Sequence, residues 1–208
     1  MYKHVLFDID GTMIDSEPYY VSCLQQIGES VLNRPFSQDE ARQVFPMNSH
    51  DALTRMGVSK EQLPDAVQRY DDLCFLPDKI SPFPGIIDLL TELRRRNIPL
   101  AIYSARFMYE FEVDPSVVPL TKYFDEIIGV GEYRSKPDPD GLIQYMKKHG
   151  LQPSEVLYIG DSVMDSIVAE KAGVDLVMGE WKSWKNDQKY PAKYYCTDPC
   201  EILAILDQ

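Results

Sequence analysis

Short apolar runs alternate along this chain with segments whose apolar positions recur at helical spacing. Runs of this length are typical of the buried strands of a parallel sheet. They lie at residues 5–7, 99–103, 126–130, 156–159, 175–178 and 194–195. Segments 85–96, 139–149 and 163–172 place their apolar residues on one helical face. Strands that alternate with helices predict βαβ units and a mostly parallel sheet in an α/β fold.

One long segment breaks the alternation. Between residues 17 and 76 the apolar positions fit four successive helical patterns and no strand. An all-helical stretch of roughly 60 residues is too long to be a loop inside a compact domain. We therefore predict that residues 16–81 form an inserted α-helical cap domain, and that residues 1–15 and 82–208 form the core.

A second irregular region follows the run at 99–103. Residues 106–123 contain Asp114-Pro115 and Pro119, and a proline inside a helix removes a hydrogen bond and clashes with the preceding turn. The sequence therefore predicts a loop with two short helices here, instead of one continuous helix.

Length and charge narrow the class of protein. The 208 residues suffice for one core and a small insertion, and the formal net charge is −12. Nucleic-acid binding depends on Lys and Arg contacts to phosphates, so we expect neither a nucleic acid nor an anionic membrane as a partner. No apolar run approaches the roughly 20 residues of a membrane span, and the N-terminus lacks the form of a signal peptide. We expect a cytoplasmic protein, a monomer by default, with a homodimer left open.

The cysteines are four in number, and only Cys196 and Cys200 lie close together in the sequence. A zinc site would need a second close pair of Cys or His, and the three histidines are scattered. We interpret all four cysteines as reduced thiols.

Polar side chains follow four of the predicted strands, at the point where each strand ends. They are Asp8 and Asp10, Ser104, Lys136, and Asp161 with Asp165 one helical turn later. The carboxyl ends of parallel strands lie at one edge of the sheet, where open α/β sheets bind ligands. We therefore expect these side chains to share one site.

The first two acids indicate the chemistry of that site. Asp8 and Asp10 precede Gly11, which allows a sharp turn. Like charges about 4 Å apart repel by roughly 4 kcal/mol at an effective dielectric constant near 20, so the pair indicates a bound cation, an unusual protonation state, or both. Magnesium prefers carboxylates, waters and phosphate oxygens, and phosphoryl transfer depends mainly on positioning and charge stabilisation.

These residues carry a resemblance to a known family. The chain resembles the haloacid dehalogenase-like superfamily of phosphatases and phosphomutases, and is most similar to the branch that holds phosphoglycolate phosphatase and β-phosphoglucomutase. The motifs are Asp8-Ile9-Asp10-Gly11-Thr12, Ser104, Lys136, and Gly160-Asp161-Ser162 with Asp165. The resemblance implies a Rossmann-like three-layer α/β/α core with a mostly parallel sheet and an inserted helical cap.

The resemblance also implies roles for the acids. Asp8 would be the nucleophile that forms an aspartyl-phosphate, and Asp10 the general acid and then the general base. Magnesium would be bound by Asp8, by the backbone carbonyl of Asp10 and by Asp161. Asp165 would be a further ligand or an outer acid that supports the others.

Residues other than the acids are expected to contact the phosphate group and to select the substrate. By the same resemblance, Ser104 and the backbone of Ala105 would hold phosphate oxygens, and Lys136 would neutralise the nucleophile and the transferring group. The segment 46–50 links two cap helices, so we expect it to reach over the site. The predicted specificity residues are Met47, Asn48, Ser49 and His50.

The leading interpretation is a magnesium-dependent phosphatase of a small phosphorylated metabolite, such as phosphoglycolate or a sugar phosphate. A phosphomutase would use the same residues and stays open. A haloacid dehalogenase has no leaving oxygen to protonate, so Asp10 disfavours it. A non-catalytic binding protein of the same fold is the alternative from another class. It would normally have lost an acid or the lysine, and this chain retains them all.

Overall fold

A parallel sheet organises the computed structural model, which describes residues 1–76, 78–182 and 189–208. Within those ranges six strands pair in the order β3-β2-β1-β4-β5-β6, all of them parallel. The strands are β1 (His4–Phe7), β2 (Leu100–Phe107), β3 (Glu126–Val130), β4 (Val156–Gly160), β5 (Asp175–Gly179) and β6 (Tyr194–Cys196). The predicted α/β fold with a parallel sheet is confirmed.

Helices occupy most of the chain between the strands. They are α1 (Glu17–Leu32), α2 (Gln38–Val44), α3 (Ser49–Met56), α4 (Leu63–Cys74), α5 (Ile86–Arg95), α6 (Glu110–Val113), α7 (Val118–Thr121), α8 (Asp140–His149), α9 (Val163–Ala172) and α10 (Glu201–Leu206), with a 3₁₀ turn at Pro153–Glu155. No helix in the described ranges is long and apolar enough to cross a membrane.

Alternating side chains of the strands build two apolar layers, one on each face of the sheet. Val5 and Phe7 of β1 belong to the layer that includes residues of α5 and α10, whereas Leu6 belongs to the layer that includes residues of α8 and α9. Both faces are therefore covered by helices. This arrangement is the expected three-layer α/β/α core, and it explains why the strands read as continuous apolar runs.

The four helices α1 to α4, here called the helical insertion (residues 17–74), lie between β1 and α5 in the chain. They share an apolar cluster of their own, which includes Leu24, Phe36 and Leu53. The chain enters and leaves this insertion side by side: the Asp15 N–H donates to the Ser81 carbonyl at 3.0 Å, and Ile14 and Pro82 form a bridge. The bounds 16–81 of a separate cap domain stay a prediction.

Strand β2 is longer than the sequence indicated. It continues to Phe107, and its register with β3 shifts between Tyr103 and Phe107. Ser104 consequently lies inside the strand and not at its end, which corrects the prediction. Beyond the strand, α6 and α7 are the two short helices predicted for the proline-interrupted region.

The strand order determines where a site can form. Strand β1 lies between β2 and β4, and the chain changes direction across the sheet at this point. Loops that leave neighbouring strands toward opposite sides open a crevice at the carboxyl edge, and ligands bind there in doubly wound sheets. The polar residues selected from the sequence lie in the loops after β1, β3 and β4, on α9 and, for Ser104, within β2.

Candidate active site

Asp8 is the first residue beyond β1 and lies at the bottom of the crevice. Its N–H donates to the Ile159 carbonyl of β4 at 2.9 Å, and its side chain is buried. The turn that follows needs Gly11, whose φ is +77°. A Cβ at this position would lie 2.6 Å from Oδ2 of Asp161. The glycine therefore lets the loop after β1 approach the acid that follows β4.

Lys136 joins two buried acids. Its Nζ donates to Oδ1 of Asp8 and to Oδ1 of Asp165, both at 2.7 Å, and lies about 5 Å from the ring centroids of Tyr103 and Tyr158. Burial acts to lower the pKa of Lys136, but the two carboxylates outweigh it and raise that pKa above its ordinary value. Burial raises the pKa of Asp8 to about 7, against the opposing effect of the ammonium.

Asp165 is the second carboxylate that binds the Lys136 ammonium. Its carboxylate accepts hydrogen bonds from Lys136, from the Tyr158 hydroxyl at 2.5 Å, and from Ser162, with which it forms a capping box at the start of α9. Burial acts to raise the pKa of Asp165, but the Lys136 ammonium and these donors hold it below its ordinary value. Both carboxylate oxygens already have donors, which favours a supporting role over direct metal ligation.

The acids after β1 and β4 form a cluster that can hold a metal ion. Asp8, Asp161 and Asp165 each offer one oxygen, and the three oxygens lie within 4.8 Å of one another. The cluster consists of carboxylates alone, and an all-oxygen donor set suits a hard cation such as Mg²⁺ better than zinc. The residues therefore fit the expected ion. The predicted contribution of the Asp10 carbonyl stays a prediction.

Lys182, which follows β5, was not found from the sequence. Its ammonium contacts Oδ2 of Asp161, while the Thr12 hydroxyl donates to Oδ1 of Asp161 at 2.9 Å. Burial lowers the pKa of Lys182 to about 8, although the nearby Glu17 opposes this effect. The strand-end argument used for the other strands would have found Lys182 if it had been extended past the run at 175–178.

Ser104 and Ala105 lie on β2 and line the same cavity as Asp8 and Lys136. Ser104 is buried, and its Oγ accepts a hydrogen bond from the Arg106 N–H at 3.2 Å. The structure thus brings both residues to the crevice, as the sequence indicated. Their contact with a phosphate group stays a prediction.

Asp10 is held by an arginine that the sequence analysis overlooked. Nε and Nη2 of Arg106 donate to the two carboxylate oxygens of Asp10 at 2.7 and 2.8 Å, and the Ser16 hydroxyl donates to Oδ1 at 2.7 Å. Burial acts to lower the pKa of Arg106, but the surrounding acids, Asp10 first, hold it well above its ordinary value. Residues two apart in a strand share a face, so a longer predicted β2 would have placed Arg106 beside Ser104.

The helical insertion supplies the opposite wall of the cavity, whose volume is about 1070 Å³. Met47, Asn48 and Ser49 line it, as predicted. His50 is not among the described residues that line the cavity; its ring packs 4.7 Å from that of Phe107. Asn48 Nδ2 donates to the Ser135 hydroxyl at 3.2 Å and so connects the insertion to the loop that carries Lys136.

The fold and the site together define a class of protein. A parallel sheet with a helical insertion after β1, acids after β1 and β4, and a lysine between them is the arrangement predicted from the motifs. The sequence profile of the haloacid dehalogenase-like hydrolases matches residues 5–178. The chain belongs to this family.

Several relatives are named phosphatases. The pyrophosphatase PpaX of Oceanobacillus iheyensis is 24% identical over 207 residues, which are 98% of this chain and 96% of the relative. The phosphoglycolate phosphatase of Synechococcus elongatus is 30% identical over 180 residues, covering 85% and 83% of the two chains. The crystal structure of a candidate phosphoglycolate phosphatase from Lactobacillus plantarum is 29% identical, with a TM-score of 0.84 over 99% of each chain.

Proposed function

We propose that the protein is a magnesium-dependent phosphatase that hydrolyses a small phosphorylated metabolite through an aspartyl-phosphate on Asp8. One observation carries the proposal: Asp8 lines the cavity with Asp10 two residues away, and its carboxylate is bonded to the buried ammonium of Lys136. A nucleophile, a proton carrier and a fixed positive charge thus meet at one place. Phosphoryl transfer through a covalent intermediate can use such a set, because the carboxylate attacks, the second acid carries the proton and the ammonium stabilises the charge.

In the first step an Asp8 oxygen bonds to the phosphorus, and the bond from phosphorus to the leaving oxygen breaks. Asp10 gives its proton to that oxygen, so the alcohol leaves neutral. In the second step water attacks the phosphorus, Asp10 takes the proton from the water, and the bond to Asp8 breaks with release of phosphate. Lys136 keeps a positive charge beside Asp8 throughout.

Asp8 and Asp161 are the residues that would hold Mg²⁺ directly. Asp165 would support the site through its contact with Lys136. When bound, the ion neutralises charge on the phosphoryl oxygens. Lys182 supplies a positive charge to the same acid cluster, because its ammonium contacts Asp161. Ser104 and Ala105 complete the binding of the phosphate group.

The substrate class follows from the relatives and the cavity. Relatives named for pyrophosphate and phosphoglycolate support a compact anionic substrate. The insertion would contact the part of the substrate beyond the phosphate through Asn48 and Ser49, which both line the cavity. We therefore place phosphoglycolate, pyrophosphate and small sugar phosphates first in any panel.

The test is phosphate release from a panel of phosphometabolites with and without Mg²⁺, for the wild type and for Asp8→Asn. The proposal expects Mg²⁺-dependent release that a chelator abolishes. Asp8→Asn should lose activity by about a thousandfold or more, because no comparable nucleophile replaces the carboxylate. Asp88→Asn, which removes an exposed acid of α5, is the control and should keep wild-type rates. Equal rates for Asp8→Asn and wild type, or isomerisation of a sugar phosphate without phosphate release, would contradict the proposal.

A further inference from the structure

Arg106 is a buried charge that stability alone does not explain. Its side chain is 5% exposed, and Nη1 donates to Oδ2 of Asp114 at 2.6 Å in addition to the two bonds to Asp10. Buried ion networks are often no more stable than apolar packing of the same volume. An arginine buried in such a place indicates control over the geometry of a neighbouring group.

The group with the most constrained geometry is the Asp10 carboxylate. Two parallel bonds from one guanidinium fix both oxygens at once, because the planar donor fork matches the carboxylate. Ser16, the residue before α1, adds a third bond. The Asp10 side chain nevertheless stays 22% exposed and lines the cavity. Its orientation is therefore fixed at the wall of the cavity in which a substrate would lie.

The same guanidinium reaches the helical insertion. Nη2 of Arg106 lies 2.8 Å from the hydroxyl of Tyr20 on α1, and this hydroxyl donates to Oδ2 of Asp114 at 2.7 Å. Tyr20 and Asp114 are both buried. The link is thus a closed set of contacts among β2, the segment after α6 and the first helix of the insertion.

We propose that Arg106 is the positioning residue of Asp10, and that Tyr20 and Asp114 hold the guanidinium in the orientation that aims the proton-carrying carboxyl group of Asp10 at the leaving oxygen. Arg106 acts through Asp10 and takes no proton itself. The inference rests on the proposed function, in which Asp10 is the general acid of the first step.

The experiment exploits the leaving group. A p-nitrophenolate departs readily without a proton, whereas an alkoxide needs one. We would measure kcat/KM, which reports the first phosphoryl transfer, for p-nitrophenyl phosphate and for the alkyl phosphate that the wild type hydrolyses fastest. The variants are Arg106→Lys, which keeps the charge and loses the fork, Tyr20→Phe, which removes only the hydroxyl, and Asp10→Asn as the benchmark. Arg94→Lys, which alters an exposed ion pair on α5, is the matched control.

Arg106→Lys should lose kcat/KM on the alkyl ester by about tenfold to a hundredfold, and on the aryl ester by at most a few-fold. Asp10→Asn should show the same preference more strongly, and Tyr20→Phe the same preference more weakly. Adding Arg106→Lys to Asp10→Asn should cost little more, because both changes remove one function. Arg94→Lys should match the wild type on both esters.

Equal losses on the two esters would show that Arg106 only supports the fold, and so would losses that multiply in the double variant. Wild-type rates for Arg106→Lys would also overturn the inference. If Arg106→Lys fails to fold, which thermal unfolding would report, Tyr20→Phe decides by the same ratio of rates. A wild type that hydrolyses neither ester nor any member of the panel overturns the proposed function itself, which is a distinct result.

Discussion

Glu110 is a carboxyl group placed where its ionisation is unfavourable. Burial raises its pKa from the ordinary 4.5 to about 8; Arg106, 3.6 Å away, opposes this shift, and the acids Asp71 and Asp10 add to it. The folded protein therefore binds this proton more tightly than the unfolded chain does. By linkage, the contribution to stability is full below about pH 4.5 and is lost as the pH rises through about 8.

Replacement of Glu110 by Gln removes this titration and keeps the shape of the side chain. We expect the wild type to lose thermal stability between pH 5 and 9 more steeply than Glu110→Gln, so that the variant becomes the more stable of the two above about pH 8. Thermal unfolding followed by circular dichroism over this range measures the difference. Parallel pH curves for the two proteins would mean that Glu110 is ionised in the folded state.

At the residue scale, the sequence indicated the acids and the lysine but not their partners. Asp8, Lys136 and Asp161 could be selected because each follows an apolar run and lies at a common edge of the sheet. Arg106 was not predicted as a site residue, because β2 continues past Ser104 into residues without a clear apolar alternation. Which acid a buried arginine pairs with depends on tertiary packing, and spacing along one chain does not contain that information.

At the scale of elements, one glycine shows how closely the insertion is packed. Gly28 lies within α1, and a Cβ there would be 2.5 Å from Cβ of Phe36. Glycine to alanine inside a helix ordinarily stabilises by about 0.5–1 kcal/mol. The overlap with Phe36 reverses the sign, because extra volume in a packed core costs about 1–3 kcal/mol.

Gly28→Ala should therefore lower the free energy of unfolding, as measured by urea denaturation. Ser22→Ala, at an exposed position of the same helix, is the control and should change it by less than about 0.5 kcal/mol. A Gly28→Ala protein as stable as the wild type would show that Phe36 moves aside at no cost. That result would contradict the close approach of α1 to the segment before α2.

The elements predicted best are those whose apolar pattern and end signals agree. Helix α9 was predicted at its observed bounds, because Gly173, with φ of +72°, ends it. The structure adds that Ser162 caps its start. Strand β2 was predicted too short, because its last residues carry polar side chains that pair with other buried polar groups instead of packing in an apolar layer. The pattern of apolar residues along a sequence predicts which residues are buried by apolar contacts. It does not predict which charged residues are buried in ion pairs.

At the scale of the whole molecule, the helical insertion contacts the core over the cavity through polar side chains. The Asn48 amide donates to Ser135 at 3.2 Å, and the Tyr109 hydroxyl of the core donates to Asp71 of α4 at 2.6 Å. Each hydrogen bond contributes about 0.5–1.5 kcal/mol net. The insertion has an apolar cluster of its own, while Tyr20, Cys23 and Cys74 join the apolar cluster of the core. The two polar contacts are weak enough to permit a local opening over the cavity through which substrate enters.

Ser135→Ala with Tyr109→Phe removes both bonds and leaves Asn48 free to cap α3 through Asp51. We expect the double variant to keep the unfolding cooperativity of the wild type while the peptide that contains residues 44–51 exchanges its amide hydrogens several-fold faster, because local opening exposes it without unfolding either apolar cluster. Hydrogen–deuterium exchange followed by mass spectrometry measures this rate.

Ser30→Ala, which removes a hydroxyl that donates to the Ile27 carbonyl within α1, is the control and should match the wild type. Unchanged exchange at 44–51 would show that these two bonds do not hold the insertion over the site. The restraint would then rest on the buried contact of Arg106 with Tyr20 and on the apolar contacts of Cys23 and Cys74 with the core.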